Sequence, residues 1–242
     1  MNRYTEKDQL FIEELIVDTF NEIDKVYNNS LQKEKTDVVV SGSRLIFPKY
    51  SSANQTNPDK LRVSEQELRF TFVELFSKKC EQQKADYHYS IETPTEMKHV
   101  FSEKVFSGKY LPRKADGEDK GESARFDLTI YDSNLNAICH IEFKNNDSNY
   151  NNYEKDFLKL STEGTGLLCY FIDLIESSDS GTLKNGIKPR LQKVNSEYFS
   201  NVKYIAHCLN NRGKVEKKGF DTIYKGDILD GKPQEWKPLP LD

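Results

Sequence analysis

Two short segments in tandem limit the possible folds of this chain more than any other feature. Residues 124–131 and 137–144 each alternate apolar and polar side chains, as expected of a β-strand with one buried face. Only the five residues 132–136 separate them. The spacing therefore predicts two adjacent strands that form a hairpin.

The alternation also sorts the side chains of this hairpin by face. The apolar face is predicted to consist of Phe126, Leu128, Ile130, Cys139, Ile141 and Phe143. The polar positions include Asp127 in the first strand and Glu142 and Lys144 in the second. Because the strands are neighbours, we expect these three polar side chains to converge at one end of a sheet.

The elements around the hairpin predict an α/β protein. Residues 167–173 form a continuous apolar run, which is typical of a strand buried on both faces of such a sheet. Thr5 and Ser64 are predicted to begin helices, and the spacing of Ser64 from Glu67 is that of a capping box. The other elements are helices over 5–28, 64–79, 153–162 and 187–199, strands over 87–93 and 202–209, a short hairpin within 37–50, and loops over 51–60, 107–122 and 145–152.

The composition excludes several classes of protein. No apolar stretch reaches the roughly 20 residues that a membrane-spanning helix needs, and the N-terminus lacks the apolar segment of a secretory signal. The four cysteines are widely separated, which indicates free thiols rather than a disulfide frame or a zinc site. We therefore expect a cytoplasmic protein with no membrane partner.

The charge is unevenly distributed. The net charge of −4 does not favour a protein that coats nucleic acid indiscriminately. Residues 183–226, however, contain ten basic and three acidic side chains. This stretch is interpreted either as a nucleic-acid surface or as an ordinary solvated face rich in lysine.

The three converging residues suit a metal-dependent hydrolysis. Asp127 and Glu142 provide the hard oxygen ligands that Mg²⁺ prefers, and the backbone carbonyl of Phe143 is a further candidate ligand. A metal held there polarises a phosphoryl oxygen and lowers the pKa of a bound water. Lys144 is placed to orient that water and to stabilise the developing negative charge. We expect Mn²⁺ to substitute for Mg²⁺.

Asp127 followed by Glu142-Phe143-Lys144, each on a predicted strand, resembles the motif of the PD-(D/E)XK nuclease superfamily. The resemblance covers residues 61–175 and has Phe126 where the superfamily name implies proline. It implies a restriction-endonuclease-like αβββαβ core with a central mixed sheet flanked by helices. The implied organisation is an N-terminal helix and hairpin over 1–60, a nuclease core over 61–210 and a C-terminal extension over 211–242.

Members of this superfamily often add a glutamate from the first core helix, which here is residues 64–79. On a helical wheel Glu65 falls at the centre of the apolar stripe, whereas Glu67 falls on the solvent side. We therefore predict that Glu65 assists catalysis or a metal, the alternative being an ion pair or simple exposure. Glu67 is better explained as the capping-box partner of Ser64.

Other residues carry weaker predictions. Lys155 and Lys159 lie four apart on one helix and are candidates to contact a phosphate backbone, or else belong to a solvated face. Glu92 is a candidate outer ligand. His140 lies on the polar face of its strand but belongs to no zinc motif, so a structural, hydrogen-bonded role is favoured.

The sequence thus predicts a Mg²⁺-dependent nuclease, an endonuclease or an exonuclease, acting on DNA more readily than on RNA. One alternative is a catalytically inactive nuclease fold that binds nucleic acid or a protein partner. Another is an unrelated α/β protein in which the motif arose by chance. A homodimer is also predicted as possible, with the helix over 5–28 as an available interface.

Overall fold

The computed structural model describes residues 2–31, 45–48, 61–100, 113–114, 121–145, 150–177, 187, 190–191, 194, 201–210 and 222–224. These residues form three α-helices and seven β-strands. The elements are α1 (Glu6–Leu31), α2 (Glu65–Gln83), β1 (His88–Val100), β2 (Arg113–Lys114), β3 (Glu122–Tyr131), β4 (Ala137–Asn145), α3 (Tyr150–Glu163), β5 (Leu168–Ser177), β6 (Lys203–Asn210) and β7 (Thr222–Tyr224).

The strands form one mixed sheet in the order β2-β1-β3-β4-β5-β6-β7. The pairs β1–β3 and β3–β4 are antiparallel, and Thr129 lies opposite His140 in the predicted hairpin. The pairs β4–β5 and β5–β6 are parallel, with α3 as the crossover between β4 and β5. The predicted α/β class and mixed sheet are confirmed, and the long strands lie where their patterns predicted them.

Both predicted helix starts show the expected capping chemistry. The backbone N–H of Asp8 donates to Thr5 Oγ1 at 3.2 Å, and the N–H of Thr5 donates to Asp8 Oδ2 at 2.7 Å. Ser64 and Glu67 form the reciprocal capping box at the start of α2, as predicted. These bonds satisfy backbone donors that the first helical turn leaves without intrahelical partners.

The core lies on both faces of the sheet. Apolar side chains of α1 and α2 pack against Ile141 and Phe143 on one face, and those of α3 pack against Phe171 on the other. Phe72 and Phe143 meet edge to face at 5.5 Å between ring centroids, and Phe157 stacks on Phe171 at 4.6 Å. The sheet is therefore sandwiched between helices, which leaves the strand ends as the places where polar side chains can gather.

The predicted alternation in β3 is wrong at one end. Leu128 and Ile130 pack with α1 and α2, but Phe126 packs on the α3 side, where it stacks on His140 at 4.0 Å. The adjoining strand β1 is irregular at the same level, because Glu92 has a φ of 51°. The change of face falls at Asp127, although β3 continues through this residue and pairs with β1 in one register on both sides of it.

The helix α1 packs along α2 and the sheet. Lys79 forms ion pairs with Glu14 and Asp18 at 3.0 and 3.2 Å, and Lys203 pairs with Glu13 at 2.5 Å. The hairpin expected within 37–50 lies outside the described residues except at 45–48, which form no strand.

Much of the C-terminal part predicted as a helix over 187–199 and as a basic stretch over 183–226 also lies outside the described residues. The sequence did not predict two short strands: β2 lies within the expected loop over 107–122, and β7 pairs with β6 and extends the sheet into the expected C-terminal extension. Cys80, Cys139 and Cys169 are free thiols, as predicted. No helix among the described residues is long and apolar enough to cross a membrane.

Candidate active site

The predicted residues Glu65, Glu142 and Lys144 come together beside the end of β4. Lys144 Nζ lies 3.9 Å from Glu142 Oε2 and 4.0 Å from Glu65 Oε2. Glu65 is the first residue of α2, so the helix brings its carboxylate over the strand end. The wheel-based prediction that Glu65 faces the sheet agrees with this position, since its side chain is half-buried.

Asp127 is held at the same place by a backbone contact. The β3–β4 pairing runs from Tyr131 to Leu128 and includes no pair beyond Leu128 and Ile141. Past that point the N–H of Phe143 donates to Asp127 Oδ2 at 2.8 Å. The carboxylate thus replaces a strand carbonyl as acceptor, and Asp127 is fixed beside Glu142 and Lys144 by the backbone of the Glu-Phe-Lys segment.

The helix α3 supplies two site residues that the sequence reasoning missed or misplaced. Asp156 Oδ2 lies 2.9 Å from Lys144 Nζ, and Asp156 Oδ1 lies 2.6 Å from Lys159 Nζ. Lys159 in turn lies 2.8 Å from Glu142 Oε1 and donates to the carbonyl of Arg125 at 2.8 Å. A continuous chain of alternating charge therefore runs from Lys144 through Asp156 and Lys159 to Glu142.

The position of Lys159 corrects its predicted role. Its side chain is only 8% exposed and its ammonium is occupied by Glu142 and Asp156, so it does not lie on a surface that a phosphate backbone reaches. A signal for Asp156 was available, because on a wheel it falls in the stripe of Tyr153 and Phe157. Lys155 is half-buried, and its predicted contact with nucleic acid stays a prediction.

Burial and neighbouring charges shift the pKa values of this cluster in opposite directions. Burial, with Asp156 as the next cause, raises the pKa of Glu142 well above its ordinary value. Burial by itself lowers the pKa of Lys144, but Asp156, Glu142 and further carboxylates more than offset it, so that the pKa is raised. The pKa of Asp156 is lowered because Lys144 and Lys159 outweigh its burial.

These directions define what Lys144 can do. A lysine whose pKa is raised above 10.5 remains an ammonium at neutral pH. It therefore donates hydrogen bonds and stabilises negative charge, and it does not accept a proton from water. The pKa of Glu65, whose carboxylate lies 4.0 Å from this ammonium, is also raised, and burial is the chief cause.

A third cation, Arg69 of α2, lies on the other side of the site. Its Nη2 is 2.5 Å from Asp127 Oδ1, and its Nη1 is 3.0 Å from Glu92 Oε1. The predicted outer ligand Glu92 therefore touches the site only through Arg69. The sequence offered one signal for this arginine, its place one turn after Glu65 on the same helix face.

The cluster contains more acid than base. Its carboxylates are Glu65, Glu92, Asp127, Glu142 and Asp156, and its cations are Arg69, Lys144 and Lys159. By formal charge the carboxylates outnumber the cations by two, and Glu65 and Glu92 are the more exposed acids. Hard oxygen donors with surplus negative charge are the chemistry that Mg²⁺ requires.

The side chains are nevertheless arranged as ion pairs. Within the described part of the chain, no group of three or more His, Cys, Asp or Glu side chains is positioned to hold a metal ion. The donor chemistry of Asp127, Glu142 and Glu65 fits a divalent cation, whereas Arg69 and the two lysines occupy the carboxylates. A metal on Asp127 or on Glu142 Oε1 would share that carboxylate with Arg69 or Lys159.

Two neighbouring residues have structural roles. Glu67 is buried, bonds to the backbone N–H of Ser64 at 3.0 Å and pairs with Arg62 at 3.2 Å. Its predicted place on the solvent side is wrong, because the capping box folds the side chain back onto the helix start. His140 is buried and hydrogen-bonds Thr129 at 2.9 Å, which confirms the favoured structural role.

Comparisons with known proteins add no relative to this picture. No family model, no curated protein and no solved structure matches the chain. The fold and the site are therefore interpreted from their own geometry.

Proposed function

We propose that this protein is a metal-dependent nuclease with a restriction-endonuclease-like core of the PD-(D/E)XK type. The observation that carries the proposal is the convergence of Asp127, Glu142 and Lys144 where the β3–β4 pairing ends. Glu142 and Lys144 lie 3.9 Å apart, and Asp127 accepts the N–H of the residue between them. Two carboxylates that hold a divalent cation, together with an ammonium beside them, would suffice for hydrolysis of a phosphodiester.

The order of elements supports the same proposal. The succession α2, β1, β3, β4, α3 and β5, in which only the short β2 intervenes, reproduces the αβββαβ arrangement that the motif implies. The motif residues lie on the second and third long strands of that succession, and α3 follows the Glu-Phe-Lys segment directly.

The proposed roles follow from position. Asp127, Glu142, the carbonyl of Phe143 and Glu65 would hold Mg²⁺ or, in its place, Mn²⁺. When bound, the metal supplies a polarised phosphoryl oxygen and a water of lowered pKa. Lys144, kept as an ammonium by its neighbours, orients the attacking water and stabilises the charge that develops on phosphorus. No covalent intermediate is required.

Lys159 and Asp156 hold this machinery in place without touching substrate. Lys159 fixes one oxygen of Glu142, and Asp156 draws Lys144 towards α3. The proposed substrate is nucleic acid, DNA rather than RNA, in a cytoplasmic setting. Nothing among the described residues tests the homodimer, which stays a prediction.

One observation favours the second candidate, an inactive binding module. Each motif carboxylate is paired with a side-chain cation, Asp127 with Arg69 and Glu142 with Lys159. Such pairing satisfies the acids without a metal and would suit a fold that retains the motif for structure alone. Activity therefore has to be decided by experiment.

The test is a cleavage assay on plasmid, linear, branched and single-stranded DNA and on RNA, with Mg²⁺ or Mn²⁺. We expect cutting that EDTA abolishes and that Lys144→Ala lowers by at least about a hundredfold, since a charge-stabilising donor contributes that much. Lys78→Ala is the matched control, because Lys78 is an exposed helix lysine paired only with Glu74 at 2.6 Å among the described ion pairs.

Metal-dependent cutting that survives Lys144→Ala unchanged would contradict the proposed site. Absence of cutting on every substrate, together with normal folding, would favour the binding module.

A further inference from the structure

Arg69 holds two acidic side chains from two different strands. Its guanidinium donates to Asp127 Oδ1 at 2.5 Å and to Glu92 Oε1 at 3.0 Å. The two acceptors are unlike. Asp127 is largely buried, with 14% of its side chain exposed, whereas Glu92 has 48% exposed. Arg69 thus stands between a buried acid of the proposed site and an acid at the surface.

The contacts of Arg69 are incomplete in the observed position. Its Nε is buried and has no hydrogen-bond partner, although an arginine normally satisfies its donors when buried. An unsatisfied buried donor costs free energy, so this position of the guanidinium is not its most favourable one on hydrogen bonding alone. The carboxylates of Asp127 and Glu92 hold the guanidinium there.

The backbone at Glu92 is also unusual. Its φ of 51° lies in the left-handed region, which is unfavourable for a residue other than glycine and rare inside a strand. The pairs on either side are Ile91 with Leu128 and Thr93 with Phe126, so the irregularity lies at the level of Asp127. Strained backbone of this kind persists where surrounding structure requires it, and here it presents Glu92 to Arg69.

We propose that Arg69 is an exchangeable counterion for Asp127, which it neutralises in the metal-free protein and releases when a divalent cation binds. Glu92 is the acceptor that retains Arg69 after release. The inference rests on the proposed metal site. A guanidinium in contact with Asp127 repels a metal at the same carboxylate, so the two cations compete. Without Glu92, the arginine would have only Asp127 to pair with among its described acceptors.

The test measures Mn²⁺ affinity by titration calorimetry in the absence of nucleic acid. Arg69→Met should tighten Mn²⁺ binding by about tenfold, because it removes the competing cation while keeping an unbranched apolar side chain. Glu92→Gln should weaken binding by about threefold or more, because Arg69 then stays on Asp127. If Arg69 and Glu92 merely supported the fold, both variants would bind Mn²⁺ more weakly than wild type.

The double variant separates exchange from the simple loss of a charge. If Glu92 acts through Arg69, Glu92→Gln has no effect on Mn²⁺ affinity once Arg69 is Met, and the two changes are non-additive. Arg62→Met is the matched control, since Arg62 pairs with Glu67 at 3.2 Å away from the motif carboxylates. It should leave Mn²⁺ affinity unchanged.

Each outcome of these titrations either supports or overturns the proposed exchange. Unchanged or weaker Mn²⁺ binding by Arg69→Met, with normal binding by wild type, overturns the exchange and leaves the proposed function standing. Additive effects in the double variant also overturn it. Absence of Mn²⁺ binding in all proteins, wild type included, overturns both the exchange and the proposed metal site. Glu92→Gln, at a half-exposed position, still tests the proposal if Arg69→Met does not fold.

Discussion

The two ends of the charge cluster differ in how firmly each motif carboxylate is held. At the α3 end, Glu142 and Lys159 have side chains 2% and 8% exposed, and Lys159 makes three polar contacts. At the α2 end, Arg69 and Asp127 are 12% and 14% exposed, and Arg69 has an unpaired Nε. Glu142 thus has a deeply buried counterion, Lys159, which makes three polar contacts. Asp127 has Arg69, whose Nε lacks a hydrogen-bond partner.

This difference shows that the two ends of one charged site can have different properties, one firmly fixed and one less completely paired. The ion pairs of α3 are too buried to open cheaply, so they fix the positions of Glu142 and Lys144. The Arg69 pair includes a half-exposed second acceptor, Glu92, which retains the arginine under the exchange proposed above. Under that proposal, α3 supplies rigid placement and α2 supplies access for a cation.

The largest effect on stability is expected when the ion pair at the α3 end is removed. Lys159→Met should lower the free energy of unfolding by about 3–5 kcal/mol, because it leaves Glu142 as a buried acid without its nearest cation. Chemical denaturation at neutral pH measures this. Lys78→Met, which removes an exposed pair on α2, is the control and should cost about 0.5 kcal/mol or less. Equal losses in the two variants would show that burial of the α3 pair has no energetic consequence.

A smaller effect is expected from His140, on the α3 side of the sheet, in the dependence of stability on pH. Burial, with a lesser contribution from Arg3, lowers the pKa of His140 from 6.5 to about 4. The unfolded chain then binds a proton more readily than the folded one, so stability is lost as pH falls from 6.5 towards 4. From pH 7 to pH 5 the loss attributable to His140 is about 2 kcal/mol.

Urea unfolding of wild type and His140→Asn at both pH values measures this loss. Between pH 7 and pH 5, the free energy of unfolding of the variant should fall by about 2 kcal/mol less than that of wild type. This comparison does not depend on the stability of the variant at pH 7. Identical slopes would mean that His140 takes up its proton in the folded protein as easily as in the unfolded chain.

The smallest expected effect concerns the α2 end. Arg69→Met should lower the free energy of unfolding by about 1–2 kcal/mol, less than Lys159→Met, because Asp127 retains the N–H of Phe143 and partial access to water. Thermal and urea denaturation of the two variants side by side give the order. A larger loss for Arg69→Met would reverse the comparison between the two ends and argue against an exchangeable arginine.

Much of the fold could be predicted from local patterns. Alternation located β3 and β4, the apolar run located β5, and the Ser64–Glu67 spacing located the start of α2, because these signals depend on residues close together in the chain. The same alternation failed at Phe126, which packs on the α3 side beside His140 of the neighbouring strand β4, whereas Leu128 packs on the other side. A pairing partner distant in sequence leaves no local signal.

The site divides in the same way. Residue type and spacing identified Asp127, Glu142 and Lys144 as a group, and the family resemblance together with a helical wheel added Glu65. Which cation neutralises which acid could not be derived, since Arg69 and Lys159 reach the motif from helices 58 and 17 residues away along the chain. Only the packing of α2 and α3 against the sheet brings these side chains within contact distance. The sequence by itself thus determined the acids and the strands that carry them, whereas the tertiary structure decided how each acid is neutralised, because charge pairing depends on distance in space and not on order along the chain.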